Sequence, residues 1–380
     1  MSKKTIESIL VITPNYPIDG DPVYPFVKNI CDQFAIMGHE VVVVSPQSIT
    51  SSILHSKKMR PVERVDSVKG KRITIYQPLY ITFPHKFHNV NNFLIRLCLK
   101  FFFKRNKIRQ DIVYCHFWSS AYAVLPCIEK LNLPLFVASG ESDIKKLFST
   151  NYGLKELKDY LRGVICVSSK NRDESISLGL TTFEKCEVFP NGVNTDLFYL
   201  RDRAECRQLL GLPQDAFIVI FVGWFIERKG VERVAKAISQ LDGVNSIFIG
   251  KGNQEPNCEG ILFKGPLSHD KIPFYLSAAD VFVLPTLHEG CCNAVVEAMS
   301  CGLPIVSSNL PFNWDILDET NSIMINPNNV DDISYAIATL RDDSEMRNKL
   351  AEGAIKKAQS LTISQRAESI IRFINNKINV

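Results

Sequence analysis

The stretch Val281–Ser308, VFVLPTLHEGCCNAVVEAMSCGLPIVSS, decides the fold. Val281 to Leu284 is a short apolar run closed by Pro285, the pattern of a buried strand. A brief polar loop leads to Glu289-Gly290. Cys291–Cys301 follows, with Ala294, Val295, Ala298 and Met299 spaced for one face of a helix. Gly302 and Pro304 stop that helix, and Ile305-Val306 opens another strand. Strand, loop, helix and strand in this order make one unit of a parallel sheet. In open α/β sheets ligands bind outside the carboxyl ends of the strands. A helix N-terminus there presents free N–H groups and partial positive charge to phosphate. Two carboxylates flank this position: Glu289 at the loop end and Glu297 eight positions on. That separation is a little over two helical turns, which predicts that both lie on nearly the same side.

Taken together, Glu289-Gly290, Glu297-Ala298-Met299 and Gly302-Leu303-Pro304-Ile305-Val306 resemble the E-x7-E signature of family 4 glycosyltransferases, retaining enzymes of the GT-B fold that use nucleotide sugars. With Asn293 inside it, the motif is most similar to the branch that builds bacterial cell-surface polysaccharides. The resemblance implies an α/β protein of two Rossmann-like domains facing across a cleft, with a C-terminal helix crossing back to the first. The expected division is 1–192 for an acceptor-side domain, 193–360 for a donor-binding domain and 361–380 for the final helix. It further implies that Glu289 contacts the donor sugar near the reacting carbon. Glu297 would accept hydrogen bonds from the donor ribose, a task that suits a bidentate acceptor. Backbone N–H groups of Gly290, Cys291, Cys292 and Asn293 would face sugar and phosphate oxygens. Cys291 and Cys292 have no base paired with them in the sequence and read as small helix-start residues, not nucleophiles.

A chain of 380 residues accommodates two or three domains, and 46% hydrophobic with 22% charged residues is the balance of a soluble globular protein. A net charge of +4 is too small to imply nucleic acid. The eleven cysteines include no CxxC pair and no Cys/His group at zinc spacing, and Cys115 and Cys166 sit inside apolar runs. This points to a reducing cytoplasm and not to a disulfide framework. The opening MSKKTIESILVITP reads as a first strand, not a signal peptide, and no apolar stretch reaches membrane-spanning length.

From the N-terminus, Ser8–Thr13 reads as strand one, Phe26–Met37 as a helix ended by Gly38, and Val41–Ser45 as strand two. The first turn lacks the GxGxxG that a dinucleotide fold would carry there, which disfavours an NAD oxidoreductase. The resemblance implies a glycine in this loop close to the donor diphosphate, and Gly20 is the candidate; Tyr24 stands where a small residue is usual. Asp19-Gly20-Asp21 reads as a polar turn, and no metal is expected. Residues 46–70 read as a polar loop or insertion, and Arg72–Tyr76 as a strand. Across Phe93–Lys107, Arg96, Lys100, Lys104 and Lys107 recur at helical spacing among apolar residues with no acid between them. Two readings stay open: a core helix with a solvated basic stripe, or a helix at an anionic membrane surface on the inner face of the membrane. Asp111–His116 is a further strand. The resemblance implies that His116, at its end, contacts the donor sugar, and that Asp143, after the strand Leu135–Ala138, lines the acceptor side. Gly163–Ser168 and Cys186–Phe189 complete the first sheet, and Lys170, just after a strand end, reads as solvated, with an anion contact as the alternative.

Pro190-Asn191-Gly192-Val193-Asn194 carries a turn dipeptide. It resembles the family's inter-domain element, which would make Asn191 and Gly192 the hinge. Phe217–Val222 is a continuous apolar strand, followed by Gly223-Trp224-Phe225-Ile226-Glu227-Arg228-Lys229-Gly230 and a helix over Val231–Leu241. The spacing does not fit a Walker loop. It resembles a family element in which Arg and Lys grip the donor diphosphate. Lys229 stands at the Lys position; Trp224 replaces the usual Arg, and Arg228 is the candidate to supply that charge. Cations suit this place because negative charge builds on the leaving phosphate as the sugar departs. Ser246–Gly250 and Ile261–Lys264 are further strands, Pro273–Ala278 a helix, Ile323–Ile325 a last strand, and Asp331–Leu340, Ser344–Gln359 and Ser364–Ile378 helices.

The expected activity is transfer of a hexose-type unit from a nucleoside-diphosphate sugar, UDP before GDP, to a hydroxyl of a glycan or lipid-linked acceptor, with no cofactor. A GT-B nucleotide-sugar epimerase and a non-catalytic sugar-nucleotide or glycan-binding protein remain as alternatives.

Overall fold

The structure, a computed structural model, describes residues 5–18, 24–54, 59–146 and 154–379. Gly20, with Asp19 and Asp21, lies outside the described residues. The chain divides into two compact units, Met1–Phe189 with Ala367–Val380, and Pro190–Arg366.

The N-terminal unit is built on an eight-stranded sheet. Its strands are β1 (Ser8–Ile12), β2 (Glu40–Val44), β4 (Glu63–Val68), β5 (Lys71–Tyr76), β7 (Ile112–His116), β8 (Leu135–Ser139), β9 (Leu161–Cys166) and β10 (Cys186–Val188). The order is β10-β9-β8-β7-β1-β2-β5-β4, parallel throughout except for β4. In the central register Val11 lies between Val43 and Tyr114, all three wholly buried. Strands covered on both faces can be apolar without alternation, which is why SILVI and EVVVV read as continuous runs. Helices α1 (Pro25–Ile36) and α4 (Trp118–Leu131) cover the sheet; α4 carries Pro126 internally.

Residues 46–70 are not simply a loop. Gln47–Ser48 (β3) pairs with Leu79–Tyr80 (β6) in a separate two-stranded sheet, and Ile49–Leu54 forms a short helix, α2. Glu63–Val68 then turns at Lys69-Gly70, both at positive φ, to run antiparallel to β5. At the sheet edge only every second residue needs burial, so ERVDSV carries too little apolar character to read as a strand. The basic helix, α3, spans His88–Arg105, starting five residues before the expected Phe93. Its Leu99 and Phe103 are buried and its main packing partner is α4. At the far end of the chain, Asn375 accepts a hydrogen bond from Ile6 N (3.0 Å), and Phe373 lies edge-on to Phe136.

The C-terminal unit has a six-stranded, wholly parallel sheet: β11 (Phe217–Val222), β12 (Val244–Ile249), β13 (Ile261–Gly265), β14 (Val281–Leu284), β15 (Ile305–Ser308) and β16 (Ser322–Ile325). The order is β13-β12-β11-β14-β15-β16. The chain builds outward through β11, β12 and β13, then returns to lay β14 on the other side of β11. That reversal is a topological switch point, where an open sheet leaves a crevice at its carboxyl edge. It sets the loop after β11 beside the loop after β14, although some sixty residues separate them in sequence. Helices α5 (Ser169–Ser177), α6 (Arg203–Leu210), α7 (Val231–Ile238), α8 (Ile272–Ala278), α9 (Asn293–Ser300), α10 (Val330–Asp342), α11 (Ser344–Gln359) and α12 (Ile363–Ile378) complete the chain, α5 belonging to the N-terminal unit. Among the described residues no helix is long and apolar enough to cross a membrane, and no group of three His, Cys, Asp or Glu is placed to hold a metal ion.

Candidate active site

The switch point brings together residues from both loops. One carboxylate oxygen of Glu289, Oε1, accepts from Lys229 Nζ at 2.6 Å, Arg228 Nη1 at 2.7 Å and Thr286 Oγ1 at 2.9 Å. Arg228 also donates to the His288 carbonyl, and Leu287 N to the Arg228 carbonyl at 2.8 Å, so the two loops are laced through their backbones. Lys229 is buried, 9% exposed. Burial works against its ammonium, but the charge and hydrogen bond of Glu289 outweigh that and hold its pKa above the usual lysine value. The cluster is a charge-assisted network with one net positive charge, and Lys229 keeps N–H donors for a further anion.

Gly230 follows at φ 79°, where a Cβ would lie 2.8 Å from the Pro285 carbonyl oxygen. Glycine is therefore demanded here by both the left-handed backbone and the approach of the neighbouring loop. Arg233, in the first turn of α7, donates to the same carbonyl (3.0 Å) and pairs with Glu227 (2.6 Å), pinning the element that carries Lys229.

Glu297 is not a partner of Glu289. Helix α9 starts at Asn293, not Cys291, so Glu289 precedes the helix and the two-turn relation fails. The difference is local: the buried backbone bends at Gly290 and Cys291, and Cys292 is extended in the N-cap position. Glu297 Oε1 instead meets His269 Nε2 at 3.0 Å, and the His269 ring lies against Phe198, centroids 5.0 Å apart. Burial disfavours the charged ring, yet the hydrogen bond and charge of Glu297, with Asp270, raise its pKa above the usual histidine value.

Two glycosyltransferase family models match the chain, "Glycosyltransferase Family 4" over residues 25–197 and "Glycosyl transferases group 1" over residues 202–357. The chain belongs to this glycosyltransferase superfamily. Among curated relatives, the putative teichuronic acid biosynthesis glycosyltransferase TuaC of Bacillus subtilis is 24% identical, with 93% of this chain and 94% of that protein covered. The lipopolysaccharide core biosynthesis glycosyltransferase LpsE of Rhizobium meliloti is 30% identical over 43% of this chain and 50% of its own. Among solved structures, sucrose-phosphate synthase from Thermosynechococcus elongatus superposes with a TM-score of 0.79 at 18% identity, covering 97% of this chain and 98% of that one. Anabaena HepE, solved in complex with UDP-glucose, gives 0.73 at 16% identity, covering 97% and 99%. The fold is GT-B, two Rossmann-like α/β domains with parallel sheets.

The remaining site residues of this glycosyltransferase fall as follows. Trp224, at the expected Arg position, is exposed, with Lys251 Nζ 5.8 Å from its ring centroid. Burial pushes the Cys291 thiol up to about 12 and raises Cys292, so neither supplies a thiolate near neutral pH. Asn191 donates to the Cys291 carbonyl at 3.0 Å, tying the Pro190–Asn194 segment to the approach to α9. A Cβ on Gly192 would lie 2.7 Å from Ile363 Cα, so this backbone runs in direct contact with its neighbour. On the N-terminal unit, His116 is buried at the end of β7 against the rings of Phe26 and Phe117. Asp143 is exposed and accepts from Lys146 N at 2.9 Å. Lys170 is not merely solvated: it pairs with Glu174 (3.0 Å) and donates to the Ser142 carbonyl (2.6 Å).

Sequence reasoning missed four polar groups. Thr286, His269 and Arg233 touch or support the donor-side residues. Glu141, beside the expected Asp143, accepts from the Trp118 and Gly140 N–H groups (2.6 and 3.0 Å) and the Ser139 hydroxyl (3.2 Å). Burial raises its pKa despite those donors. Only Arg233 left a signal, four residues beyond Lys229 on an amphipathic helix.

Proposed function

We propose that the protein is a retaining glycosyltransferase that moves a hexose-type sugar from a nucleoside-diphosphate sugar to a hydroxyl of a glycan or lipid-linked acceptor, in assembly of a bacterial surface polysaccharide. UDP is the first expectation for the nucleotide and GDP the second. The observation that carries this reading is the pair of cations, Lys229 and Arg228, held on one oxygen of Glu289 at the switch point. A diphosphate leaving group gains negative charge as its bond to the sugar breaks. Cations fixed in advance by a carboxylate stabilise that charge without reorganising in the transition state. The N–H groups that open α9 add to the same field.

In this reading Glu297 accepts the ribose hydroxyls, exchanging or sharing them with His269. Glu289 orients the cations and faces the transferred sugar, and His116 contacts that sugar. Gly290, Cys291, Cys292 and Asn293 contribute backbone donors. No side chain is assigned as a covalent nucleophile. The acceptor proton is taken by the leaving phosphate on the same face, which retains the anomeric configuration. We assign no metal to the reaction, since Lys229, Arg228 and the helix N-terminus supply positive charge. TuaC and LpsE by name, and HepE by its bound UDP-glucose, support the substrate class. Eleven free cysteines fit a protein of the cytoplasm, working at the inner face of the membrane.

The test is thermal stabilisation by a panel of nucleotides and nucleotide sugars in the presence of EDTA. A donor at one hundred times its Kd adds about 2.7 kcal/mol. Stabilisation by one UDP- or GDP-sugar, lost in Glu297→Ala, is the expected result. Release of an altered free nucleotide sugar with no acceptor would point to an epimerase instead. Absence of any shift would sink the donor assignment.

A further inference from the structure

The N-terminal unit carries a surface that the donor chemistry does not use. Residues 67–110 contain ten Lys or Arg and no Asp or Glu, in a chain whose net charge is only +4. Of the twenty exposed large hydrophobic residues among those described, twelve fall between residues 53 and 101. The two features share three elements that the structure ties together. Thr50 Oγ1 on α2 donates to the Thr82 carbonyl at 2.6 Å, fixing α2 to the segment after β6. Asn91 on α3 closes on Phe83 from both sides, accepting from its N–H (2.7 Å) and donating to its carbonyl (2.9 Å). The Cys98 thiol reaches the Leu79 carbonyl at 3.6 Å.

Each element presents apolar groups to solvent. Ile53 and Leu54 end α2 at 70% and 76% exposure. Ile81, Phe83 and Phe87 are exposed on the connecting segment, the last two in edge-to-face contact. On α3, Val90, Phe93 and Phe101 are exposed. At 100° per residue, Lys104 falls between Phe93 and Phe101 and Lys100 just beyond Phe93, all four exposed, while the buried Leu99 and Phe103 lie on another face of the helix. Arg96 stands at its margin, its guanidinium 4.8 Å from the Tyr122 ring centroid and bonded to the Tyr122 hydroxyl. Phe93, Arg96, Lys100, Tyr122 and Pro126 line a groove of about 520 Å³ on the same side.

We infer that this face docks on an anionic phospholipid bilayer, with the tips of α2, the 81–87 segment and the Phe93–Phe101 ridge of α3 entering the headgroup region, and a lipid phosphate seated in the groove between Arg96 and Lys100. Charge complementarity selects this occupant: cations interleaved with aromatic and aliphatic groups, with no acid among them, match a plane of phosphates over hydrocarbon. Nucleic acid would use the cations and leave Ile53 and Leu54 idle. Neither half anchors well alone, since stable attachment takes an apolar and an electrostatic signal together. This extends the peripheral location from one basic stripe to a surface of three elements. It shares no residue with the Glu289 cluster, so its failure and the failure of the donor reading are separable.

The test is co-flotation of the purified full chain with vesicles of phosphatidylcholine alone, or with about one-quarter phosphatidylglycerol. Binding is expected only to the anionic vesicles, and it should weaken as salt is raised toward 1 M, where the Debye length is about 3 Å. Lys100→Glu with Lys104→Glu should lower binding about thirtyfold or more. Leu54→Ser and Phe93→Ser should each lower it about tenfold. All of these positions are exposed, and thermal midpoints and donor stabilisation should stay unchanged, which separates docking from folding. No flotation of the wild type, or equal flotation with neutral vesicles that the charge reversal leaves intact, would overturn the proposal. So would a concentration-dependent dimer abolished by Phe93→Ser, which would make a second copy the occupant.

Discussion

Two regions of the molecule handle positive charge in opposite ways. At the switch point of the C-terminal unit, Arg228 and Lys229 share one oxygen of Glu289, and Arg233 is held by Glu227 and the Pro285 carbonyl. At the opposite, amino-terminal edge of the same sheet, Arg207 is 3% exposed and bonded to Asp280 and to the Ala278 carbonyl. Along 67–110 of the N-terminal unit there is no carboxylate in the sequence to pair with, and Lys100 and Lys104 stand in solvent beside exposed rings. Buried cations have to be paired, because an uncompensated ion in a low dielectric costs several kcal/mol. Once paired they are fixed in direction, which suits recognition of one anion in one pose. Exposed cations lose little by standing alone, and a field of them suits an extended anionic surface.

The contrast breaks most visibly at Glu289. Glu289→Ala leaves Lys229 buried without its carboxylate, and should cost about 3–5 kcal/mol of stability along with nearly all activity. Replacing both members, Glu289→Leu with Lys229→Met, should recover most of that stability and none of the activity. Chemical denaturation and a donor-turnover assay check the pair together. A double variant as unstable as Glu289→Ala would mean that lost packing, not a stranded charge, sets the cost. Lys229→Ala should lower kcat more than it raises KM, since the charge it answers develops in the transition state; a normal kcat would remove Lys229 from that role.

Next in size is Glu297. Glu297→Ala should weaken donor binding by about 1–3 kcal/mol through unmade hydrogen bonds, measured by titration calorimetry. It should also release His269. The folded-state pKa of His269 is raised by Glu297, so the pair stabilises the fold fully below the unfolded histidine value of about 6.5. That stabilisation is lost as pH rises through the folded value. The His269 side chain is 35% exposed, so solvent screening should keep the effect below about 1 kcal/mol. The difference in thermal midpoint between wild type and His269→Gln should therefore be larger at pH 5 than at pH 9. An unchanging difference would mean that the contact acts as a neutral hydrogen bond.

What could be read in advance follows the same division. The Val281–Ser308 unit announced itself because Pro285, Gly302 and Pro304 punctuate runs that are apolar for burial on both faces. Glu289 and Glu297 were visible as charges inside that punctuation, and Arg228 and Lys229 as charges between Gly223 and Gly230 after the preceding apolar strand. Their pairing was not. Lys229 meets Glu289 because β14 returns beside β11, and His269 meets Glu297 across 28 residues; neither is a local property. The two-residue error at the start of α9 has the same root. Cys291 and Cys292 are apolar and match the helix period, but the backbone bends at Cys291 and is extended at Cys292, the N-cap. In the N-terminal unit, β4 was hidden by half-exposed polar residues at a sheet edge. Helix α4 was hidden by apolar residues all round and an internal proline.

The smallest effect is the sharpest check on the contrast. Lys100→Glu and Lys104→Glu alter charges whose side chains stand in solvent, on a helix held by Leu99 and Phe103. Exposed substitutions away from caps and cores stay within about 0.5 kcal/mol. Removing positive charge from a segment with no acids should even relieve some repulsion, most of all at low salt. Denaturant midpoints of the double variant should therefore equal or slightly exceed those of the wild type, and converge with it as salt rises. A loss of several kcal/mol, comparable with that of Glu289→Ala, would show that the stripe is engaged within the protein. The two regions would then differ in degree only, and the field along 67–110 would be part of the fold and not a surface kept open for a partner.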